Sequence, residues 1–204
     1  MEIIGFLGLS GSGKDTCADY LIDKYGGVKL KLADPIKDAC AKLFLFDDEQ
    51  LNGKNRNVTD IRYGKSPRQI FQYFGTELFR EQMTSYLDLD VSFWIYRLKL
   101  ELESLESKLD LELESGESKL ILIADIRFQD EIDFLKKRGA TIYQINSSRT
   151  TETDSHISES NQRLINKSDI DGYIDNTGTI DELYKKLDSI PIPNSKSKSK
   201  SKSF

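Results

Sequence analysis

Residues 8–16, GLSGSGKDT, form a glycine-rich loop that ends in a lysine and could bind phosphate. Gly8 and Gly13 are separated by four residues and Lys14 follows directly, which is the G-x-x-x-x-G-K spacing of phosphate-binding loops. Glycines let backbone N–H groups approach phosphate oxygens, and the lysine adds a cation. An apolar run precedes the loop and a helical pattern follows it. The sequence therefore predicts a nucleotide-binding loop between a strand and a helix.

The position after Lys14 departs from the usual pattern. Phosphate loops normally carry a Ser or Thr there, whose hydroxyl binds Mg²⁺. Here Asp15 takes that position and Thr16 follows it. Both are candidate Mg²⁺ ligands, and the sequence leaves the choice between them open.

A second candidate group follows the apolar run at 120–124. Asp125 ends this predicted strand and Arg127 comes two residues later. Parallel sheets bind ligands at the carboxyl ends of their strands, so Asp125 can reach a magnesium shell or an acceptor, and Arg127 a phosphate. Asp125 can also serve as the N-cap of the helix predicted at 129–138.

A third group lies on a helix that is predicted to start at Pro67. Four polar residues are spaced four positions apart and therefore share one face of this helix: Arg68, Gln72, Thr76 and Arg80. Arginine binds phosphate bidentately and an amide can hydrogen-bond to a base edge, so this face suits a nucleotide acceptor. An ordinary solvated helix face is the alternative interpretation.

The elements that must position these groups alternate between strands and helices. Strands are predicted at 2–7, 120–124 and 141–145, and helices at 15–25, 34–46, 67–87, 91–114 and 129–138. Such alternation predicts an α/β fold in which a parallel sheet is covered by helices, a three-layer arrangement.

The long helical pattern contains a near repeat of eleven residues, because 100–110 resembles 111–121. Eleven residues make about three helical turns, so the duplication keeps one helix face in register. The apolar stripe comprises Leu98, Leu102, Leu105 and Leu109, and Gly116 is expected to end the helix. We interpret the repeat as an extended surface helix, with a coiled-coil partner interface as the alternative.

Charge and composition restrict the function classes. The 204 residues carry a net charge of −5, and the four lysines of the tail 195–204 leave −9 for residues 1–194. An acidic body argues against a general nucleic-acid binder. The Ser/Lys tail is expected to be disordered, with a weak electrostatic tether as the alternative role.

The remaining composition predicts a soluble protein of a reducing compartment. No signal-peptide pattern precedes the loop, and no apolar stretch approaches the roughly 20 residues that span a membrane. Cys17 and Cys40 lack metal-site spacing and lie in helical patterns, so they are expected to be buried apolar residues. With His156 as the one histidine, no metal cluster is predicted.

The motifs occur in a characteristic order: GKDT in the loop, LADPIKDA at 32–39, GTE at 75–77, Trp94, DIR at 125–127 followed by Glu131, and DSHISE at 154–159. In this order the chain resembles the deoxynucleoside monophosphate kinases of tailed bacteriophages and large DNA viruses. The resemblance covers about residues 3–187 and is interrupted by the repeat at 100–121.

This resemblance implies an adenylate-kinase-like P-loop fold. It also implies transfer of the terminal phosphate of ATP, with Mg²⁺, to a deoxynucleoside monophosphate for DNA precursor synthesis, with dGMP and dTMP as leading acceptors. The implied enzyme acts as a monomer or homodimer in the cytoplasm, that of the host if it is viral, without membrane or specific nucleic-acid partners.

The resemblance also implies a division of the chain. One kinase domain spans 1–190 and contains an acceptor-binding region at about 34–97, a charged helical insertion at about 98–119 and a lid at about 147–163. The low-complexity tail spans 191–204.

Roles for individual residues are carried over from the same resemblance. Lys14 would hold the transferring phosphate, Arg149 in the lid would neutralise its charge, and Asp125 and Arg127 complete the catalytic set. The implied ATP site comprises Gly11, Ser12, Gly13, Lys14, Asp15 and Thr16. The implied acceptor site comprises Ile36, Lys37, Arg68, Gln72, Gly75, Thr76, Trp94, Asp125, Arg127 and Glu131, with Trp94 as an apolar wall for the base.

Other functions compete with this one. Residues 166–169, NKSD, match the guanine-reading N-K-x-D pattern of GTPases, and 169–172 match D-x-x-G, although the two overlap and lack a clear preceding strand. A closer alternative is another small-molecule P-loop kinase, such as a dephospho-coenzyme A or phosphomevalonate kinase. A binding module without turnover is a third.

Overall fold

The computed structural model describes residues 1–112, 119–148 and 161–192, with the side chains at 109–112 and 163 left out. Parts of the predicted repeat, most of the lid with Arg149, and the end of the tail therefore lie outside the described residues.

The chain divides into two compact units. The sheet unit comprises Met1–Lys31 and Glu103–Phe204, and the helical unit comprises Leu32–Leu102. The region predicted to bind the acceptor, 34–97, lies inside the helical unit.

Five strands form the centre of the sheet unit. They are β1 Glu2–Leu7, β2 Val28–Leu30, β3 Leu120–Ile126, β4 Thr141–Asn146 and β5 Gly172–Asp175. All pair in parallel, in the order β2-β3-β1-β4-β5, so the strand that leads into the glycine-rich loop is central. The predicted α/β class with a helix-flanked parallel sheet is confirmed.

Within the described residues the α-helices are α1 Lys14–Tyr25, α2 Asp34–Phe44, α3 Asp48–Leu51, α4 Pro67–Tyr73, α5 Thr84–Tyr86, α6 Phe93–Glu112, α7 Gln129–Lys137 and α8 Ile180–Asp188. A π-helix spans Phe74–Met83, and 3₁₀ turns span Lys54–Asn57, Asn161–Leu164 and Lys167–Asp169. The predicted helix at 67–87 is thus α-helical only at its two ends.

Apolar side chains fill both faces of the sheet. On one face Phe6 and Leu122 are fully buried with Leu21 of α1 and Leu187 of α8. On the other, Gly5 leaves room for its neighbours, because an added methyl would lie 2.4 Å from Ile126 Cδ1 and 2.7 Å from Ile142 Cδ1. This packing fixes the carboxyl end of β1, where the loop begins.

The register of β1 and β3 shifts near their carboxyl ends. Gly5 pairs with Ile123 but Leu7 pairs with Ile126, so two steps on β1 oppose three on β3. The extra residue makes a β-bulge, a feature that re-aims side chains next to active sites. Asp125 lies inside this bulge, and β3 continues past the predicted end at residue 124 to Ile126.

The helical unit has its own core of Cys40, Phe46, Ile70 and Phe71. Asp60 is buried beside it and accepts hydrogen bonds from Gln50 Nε2 and from Arg62. The Arg62 guanidinium holds the pKa of Asp60 well below its usual range.

Both cysteines are fully buried, as predicted. Burial raises the pKa of the Cys17 thiol to about 12 and that of Cys40 to about 11, so neither is a nucleophile at neutral pH. Among the described residues no cluster of three or more His, Cys, Asp or Glu side chains could hold a metal ion. In the same part of the chain no helix is both long and apolar enough to span a membrane.

Gly27 permits the turn between α1 and β2. Its surroundings differ from those of Gly26, so the two glycines are expected to differ in the stability lost on substitution by alanine. The φ of Gly27 is +118°, and an added Cβ would lie 2.2 Å from the carbonyl oxygen of Leu120. Gly26 has a φ of +78° with open space around it. Gly26 has a ψ of −177°, a region that is nearly restricted to glycine. We expect Gly27→Ala to lower the free energy of unfolding by about 2–6 kcal/mol, from backbone strain plus overpacking, and Gly26→Ala by about 1–3 kcal/mol, from backbone strain alone. Urea unfolding followed by circular dichroism measures both, and equal losses would contradict the packing argument.

Candidate functional site

The glycine-rich loop turns sharply after β1. Gly8, Gly11 and Gly13 have φ values of +151°, +81° and +96°, which other residues rarely adopt. The Ser12 N–H donates to Leu9 O at 3.1 Å and closes the turn. The loop then leads into α1, which begins at Lys14. The backbone N–H groups at the N-terminus of this helix favour an anion.

The Lys14 ammonium folds back over the loop. Its Nζ donates to Gly8 O at 2.5 Å and to Leu9 O at 2.9 Å. The cation is therefore held against the loop backbone, where a bound phosphate would compete for it.

Ser12 is fully buried, and its Oγ has no hydrogen-bond partner among the described residues. A buried hydroxyl without a hydrogen-bond partner costs folding free energy, and such a group often marks a place where a ligand donates or accepts a hydrogen bond. The hydroxyl lies close to Gly8, since a Cβ on that glycine would be 2.7 Å from Ser12 Oγ.

Asp15 and Thr16, the predicted magnesium ligands, are exposed in the first turn of α1. Asp15 Oδ1 lies 2.5 Å from Lys31 Nζ and 3.8 Å from Lys29 Nζ. The carboxylate is thus paired with lysines from β2 and the residue that follows it.

Asp125 is 9% exposed in the bulge of β3, beside the end of β1. The N-cap of α7 is Phe128, so Asp125 does not cap this helix. That capping function falls to Glu131, which is 3% exposed and accepts the N–H groups of Arg127 at 2.8 Å and Phe128 at 3.1 Å. Glu131 thereby fixes the backbone that carries Arg127.

The turn after β5 supplies a residue that the sequence reasoning missed. Asn176 Nδ2 donates to Ser12 O of the glycine-rich loop at 2.9 Å. The two residues are 164 positions apart in the chain, so no local pattern signals the contact.

A cavity of about 200 Å³ opens at the carboxyl ends of β1 and β4. Its lining includes Gly8 and Leu9 together with the amides of Gln144, Asn146 and Gln162. Gln162 Oε1 is buried without a partner among the described residues, and Gln144 Nε2 donates to Asn146 Oδ1 at 3.1 Å. Its lining combines apolar and uncharged polar groups, and none of the described residues that line it is ionisable.

Seven of the ten predicted acceptor residues lie in the helical unit, and Asp125, Arg127 and Glu131 lie in the sheet unit. Ser66 begins α4 with a capping box, accepting the Gln69 N–H at 3.3 Å while its own N–H donates to Gln69 Oε1 at 3.0 Å. Arg68 and Gln72 follow on α4 and are half-buried. On α2, Lys37 Nζ donates to Asn52 Oδ1 at 2.8 Å.

Trp94 is 6% exposed, packed against Phe79 and Phe93 at centroid distances of 5.6 and 5.2 Å. Its indole N–H donates to Gly75 O at 2.7 Å. Gly75 is in the π-helix, a geometry that is rare and often functional. A Cβ there would meet Ile36 Cδ1 at 3.0 Å, and the next residue, Thr76, is also buried. Trp94 therefore stabilises the π-helix through Gly75 and exposes little of its ring.

The N-K-x-D segment is structural. Asp169 Oδ2 accepts from Gln129 Nε2 at 2.7 Å, and Gln129 Oε1 accepts the Asn166 N–H at 2.9 Å. These bonds attach the segment to the start of α7. Asp169, which stands where a GTPase reads guanine, is therefore hydrogen-bonded to Gln129.

Comparison with known families decides the class of enzyme. A family model described as "Deoxynucleotide monophosphate kinase" matches residues 2–61 and 45–187. The chain belongs to the deoxynucleotide monophosphate kinase family. It is therefore a phosphotransferase, and the resemblance drawn from its motifs is confirmed.

Individual relatives agree with the family assignment. The chain is 35% identical over 191 residues to a "Putative deoxynucleotide monophosphate kinase" of Acanthamoeba polyphaga mimivirus, covering 92% of this chain and 94% of the relative. It is 24% identical to the "Deoxynucleotide monophosphate kinase" of Enterobacteria phage T4, covering 92% and 97%. Among solved structures, a dephospho-CoA kinase from Campylobacter jejuni superposes with a TM-score of 0.44 at 13% identity, covering 92% and 94%.

The bond between Trp94 and Gly75 predicts a stability change in this kinase. Trp94→Phe keeps a ring but removes the indole donor from the partly buried Gly75 carbonyl, so we expect the free energy of unfolding to fall by about 1–3 kcal/mol. Urea unfolding followed by circular dichroism measures it. Tyr96→Phe is the control, because Tyr96 lies two residues after Trp94 and its side chain is 37% exposed. It should change the free energy of unfolding by less than about 0.5 kcal/mol. Equal stability of Trp94→Phe and wild type would contradict the role given to the indole N–H.

Proposed function

We propose that this kinase phosphorylates deoxynucleoside 5′-monophosphates with ATP and Mg²⁺, and that dGMP and dTMP are its leading acceptors. The observation that carries the proposal is the family match over most of the chain. Positive φ angles at Gly8, Gly11 and Gly13 of a G-x-x-x-x-G-K loop support it. The products are ADP and a deoxynucleoside diphosphate, used for DNA synthesis.

The donor site in this proposal is the loop of the sheet unit. Gly11, Ser12 and Gly13 would present backbone N–H groups to the phosphates of ATP, and Lys14 would leave the carbonyls of Gly8 and Leu9 for the transferring phosphate. No strong base is required, because the acceptor phosphate is already ionised. Positioning and positive charge are the main demands of the reaction.

Mg²⁺ binding fits the residues near the loop. Mg²⁺ keeps several waters and takes one or two protein oxygens besides the phosphates. Asp15, Thr16 and Asp125 would supply these oxygens, directly or through water. The bound ion would neutralise charge on the phosphates of ATP.

Residues of the helical unit are proposed to bind the acceptor. The resemblance also assigns acceptor binding to Asp125, Arg127 and Glu131, which belong to the sheet unit. Arg68 and Lys37 would bind the phosphate, and the Gln72 amide would hydrogen-bond to the base. Ile36, Gly75 and Thr76 would shape the site, and Trp94 would contribute through the π-helix it supports. The amide of Gln72 can serve as donor or acceptor, so it does not by itself select one base.

Arg149 belongs to the proposed lid at 147–163, where it would neutralise the transferring phosphoryl group. The insertion at 98–119 and the tail at 191–204 have no proposed part in catalysis. We expect a monomer or homodimer that acts on free nucleotides in the cytoplasm, that of the host if the protein is viral.

The direct test is ADP release from ATP and Mg²⁺ with a panel of acceptors. The panel contains dAMP, dCMP, dGMP, dTMP, their ribose forms, dephospho-coenzyme A and a blank. We expect activity with deoxynucleoside monophosphates above all, and highest with dGMP or dTMP. Activity with dephospho-coenzyme A alone, or with no acceptor, would refute the proposal.

Substitution of the loop lysine tests the donor site. Lys14→Ala removes the cation that would follow the phosphate, so kcat should fall by roughly 10²–10³-fold. The fold should persist, because water can satisfy the Gly8 and Leu9 carbonyls that Lys14 binds. Lys99→Ala, an exposed cation on α6, should retain full activity. Unchanged turnover by Lys14→Ala would remove it from the donor site.

Substitution of Arg68 tests the acceptor site. Arg68→Ala should raise KM for the monophosphate by about 10–100-fold, the effect of losing a charge-assisted hydrogen bond. KM for ATP should change little. Lys65→Ala, an exposed cation three residues earlier, serves as the matched control and should leave both constants unchanged. A rise in KM for ATP alone would exclude Arg68 from the acceptor site.

A further inference from the structure

The turn between β5 and α8 is attached to the phosphate loop at one peptide. Asn176 Nδ2 donates to Ser12 O at 2.9 Å, while its backbone N–H donates to Asn146 O at 2.7 Å and extends the pairing of β4 with β5. Asn176 therefore links the ends of β4 and β5 to the loop that follows β1. The proposed phosphoryl transfer assigns no role to Asn176.

The bond determines which way the peptide between Ser12 and Gly13 faces. In a planar trans peptide the C=O and the N–H point in opposite directions. Because the Ser12 carbonyl points toward Asn176, the Gly13 N–H of the same peptide points away from Asn176. That N–H belongs to the set that would bind ATP phosphates in a G-x-x-x-x-G-K loop.

Gly13 makes such a restraint necessary. A glycine adopts φ values of either sign with similar ease, so the peptide before it can rotate between two orientations at little cost. Gly13 has a φ of +96° in the structure. The contact is also close, since a Cβ at Gly13 would lie 2.4 Å from Asn176 Nδ2. Because Gly13 has no side chain, Asn176 can approach it closely. The hydrogen bond from Asn176 then restricts the orientation of the peptide before Gly13.

The turn that carries Asn176 is itself braced from both sides. Lys186 Nζ donates to Asp175 O at 2.7 Å and to its carboxylate at 2.9 Å, and Thr177 Oγ1 donates to the same carboxylate at 3.0 Å. Thr179 then caps α8, with its N–H donating to Glu182 Oε2 at 2.8 Å. Asn176 accordingly has a defined position before any nucleotide binds.

We propose that Asn176 is a positioning residue of the phosphate-donor site, which holds the peptide between Ser12 and Gly13 so that the Gly13 N–H faces the donor phosphates. This inference rests on the proposed use of the loop for ATP. It assigns to Asn176 no contact with the base or ribose.

The test compares ATP with inorganic tripolyphosphate, which has the phosphates without the nucleoside. Calorimetric titration measures the binding of each, with Mg²⁺, to wild type, Asn176→Ala and Asn176→Asp. We expect Asn176→Ala to weaken both ligands by about tenfold, the usual effect of losing one hydrogen bond at a binding site. Asn176→Asp should weaken them further, because it keeps the shape but replaces the donor with a negative charge. KM for the deoxynucleoside monophosphate should be unchanged in Asn176→Ala.

Tyr173→Phe is the matched control, since it changes a side chain on β5 that is 54% exposed and leaves both the turn and its contact with Ser12 unchanged. It should bind both ligands within about twofold of wild type. Weakening of ATP alone would instead indicate a nucleoside contact and overturn the proposal, as would equal binding by Asn176→Ala and wild type, or equal weakening by Tyr173→Phe. Binding is measured without an acceptor, so a wild-type protein that binds tripolyphosphate but fails to phosphorylate any monophosphate would refute the proposed function and leave the role of Asn176 open to measurement.

Discussion

Binding a phosphate chain with backbone N–H groups requires a short loop to keep one shape although it has few side chains to pack. In this kinase the surroundings supply the rigidity. Gly8 lies so close to its neighbours that an added Cβ would be 2.6 Å from Ile145 O, and Gly13 has the same relation to Asn176 at 2.4 Å. Lys14 binds carbonyls from inside the loop. The central position of β1 makes this possible, because strands on both sides bring their carboxyl ends to the loop.

Much of the fold could be predicted because its strongest signals are local. The apolar runs of β1, β3 and β4 indicate the sheet, the glycine spacing indicates the loop, and the order of the motifs along the chain indicates the family. The sequence reasoning missed β2 and β5, which have three and four residues and are not strongly apolar. It also missed α8, although Thr179 and Glu182 form a recognisable capping box before an amphipathic pattern. Short strands form here through pairing with neighbours, which a single-sequence pattern does not show.

The site residues were predictable by type but not by arrangement. Asp125 was expected at the end of a strand, yet the bulge that re-aims it depends on the register of β1 and β3. Trp94 is expected beside a base, and its motif does not show that the indole N–H binds Gly75 O of a π-helix, 19 residues away in the chain. Asn176 had no signal at all. Each of these features is a pairing between distant parts of the chain, whereas motifs record neighbours in sequence.

The carboxylate after the loop lysine presents an electrostatic problem that the same fold resolves. A like charge about 4 Å from a phosphate costs about 1 kcal/mol in water and about 4 kcal/mol near a protein surface. Lys31 lies 2.5 Å from Asp15 Oδ1, and Lys29 lies 3.8 Å from it while bound more closely to Asp19, so Lys31 is the main cation that offsets the Asp15 carboxylate. Lys29 lies in β2, the edge strand that the sequence pattern did not reveal, and Lys31 follows that strand directly. The pairing of β2 with β3 therefore holds two lysines beside the acidic residue that follows the phosphate-binding loop.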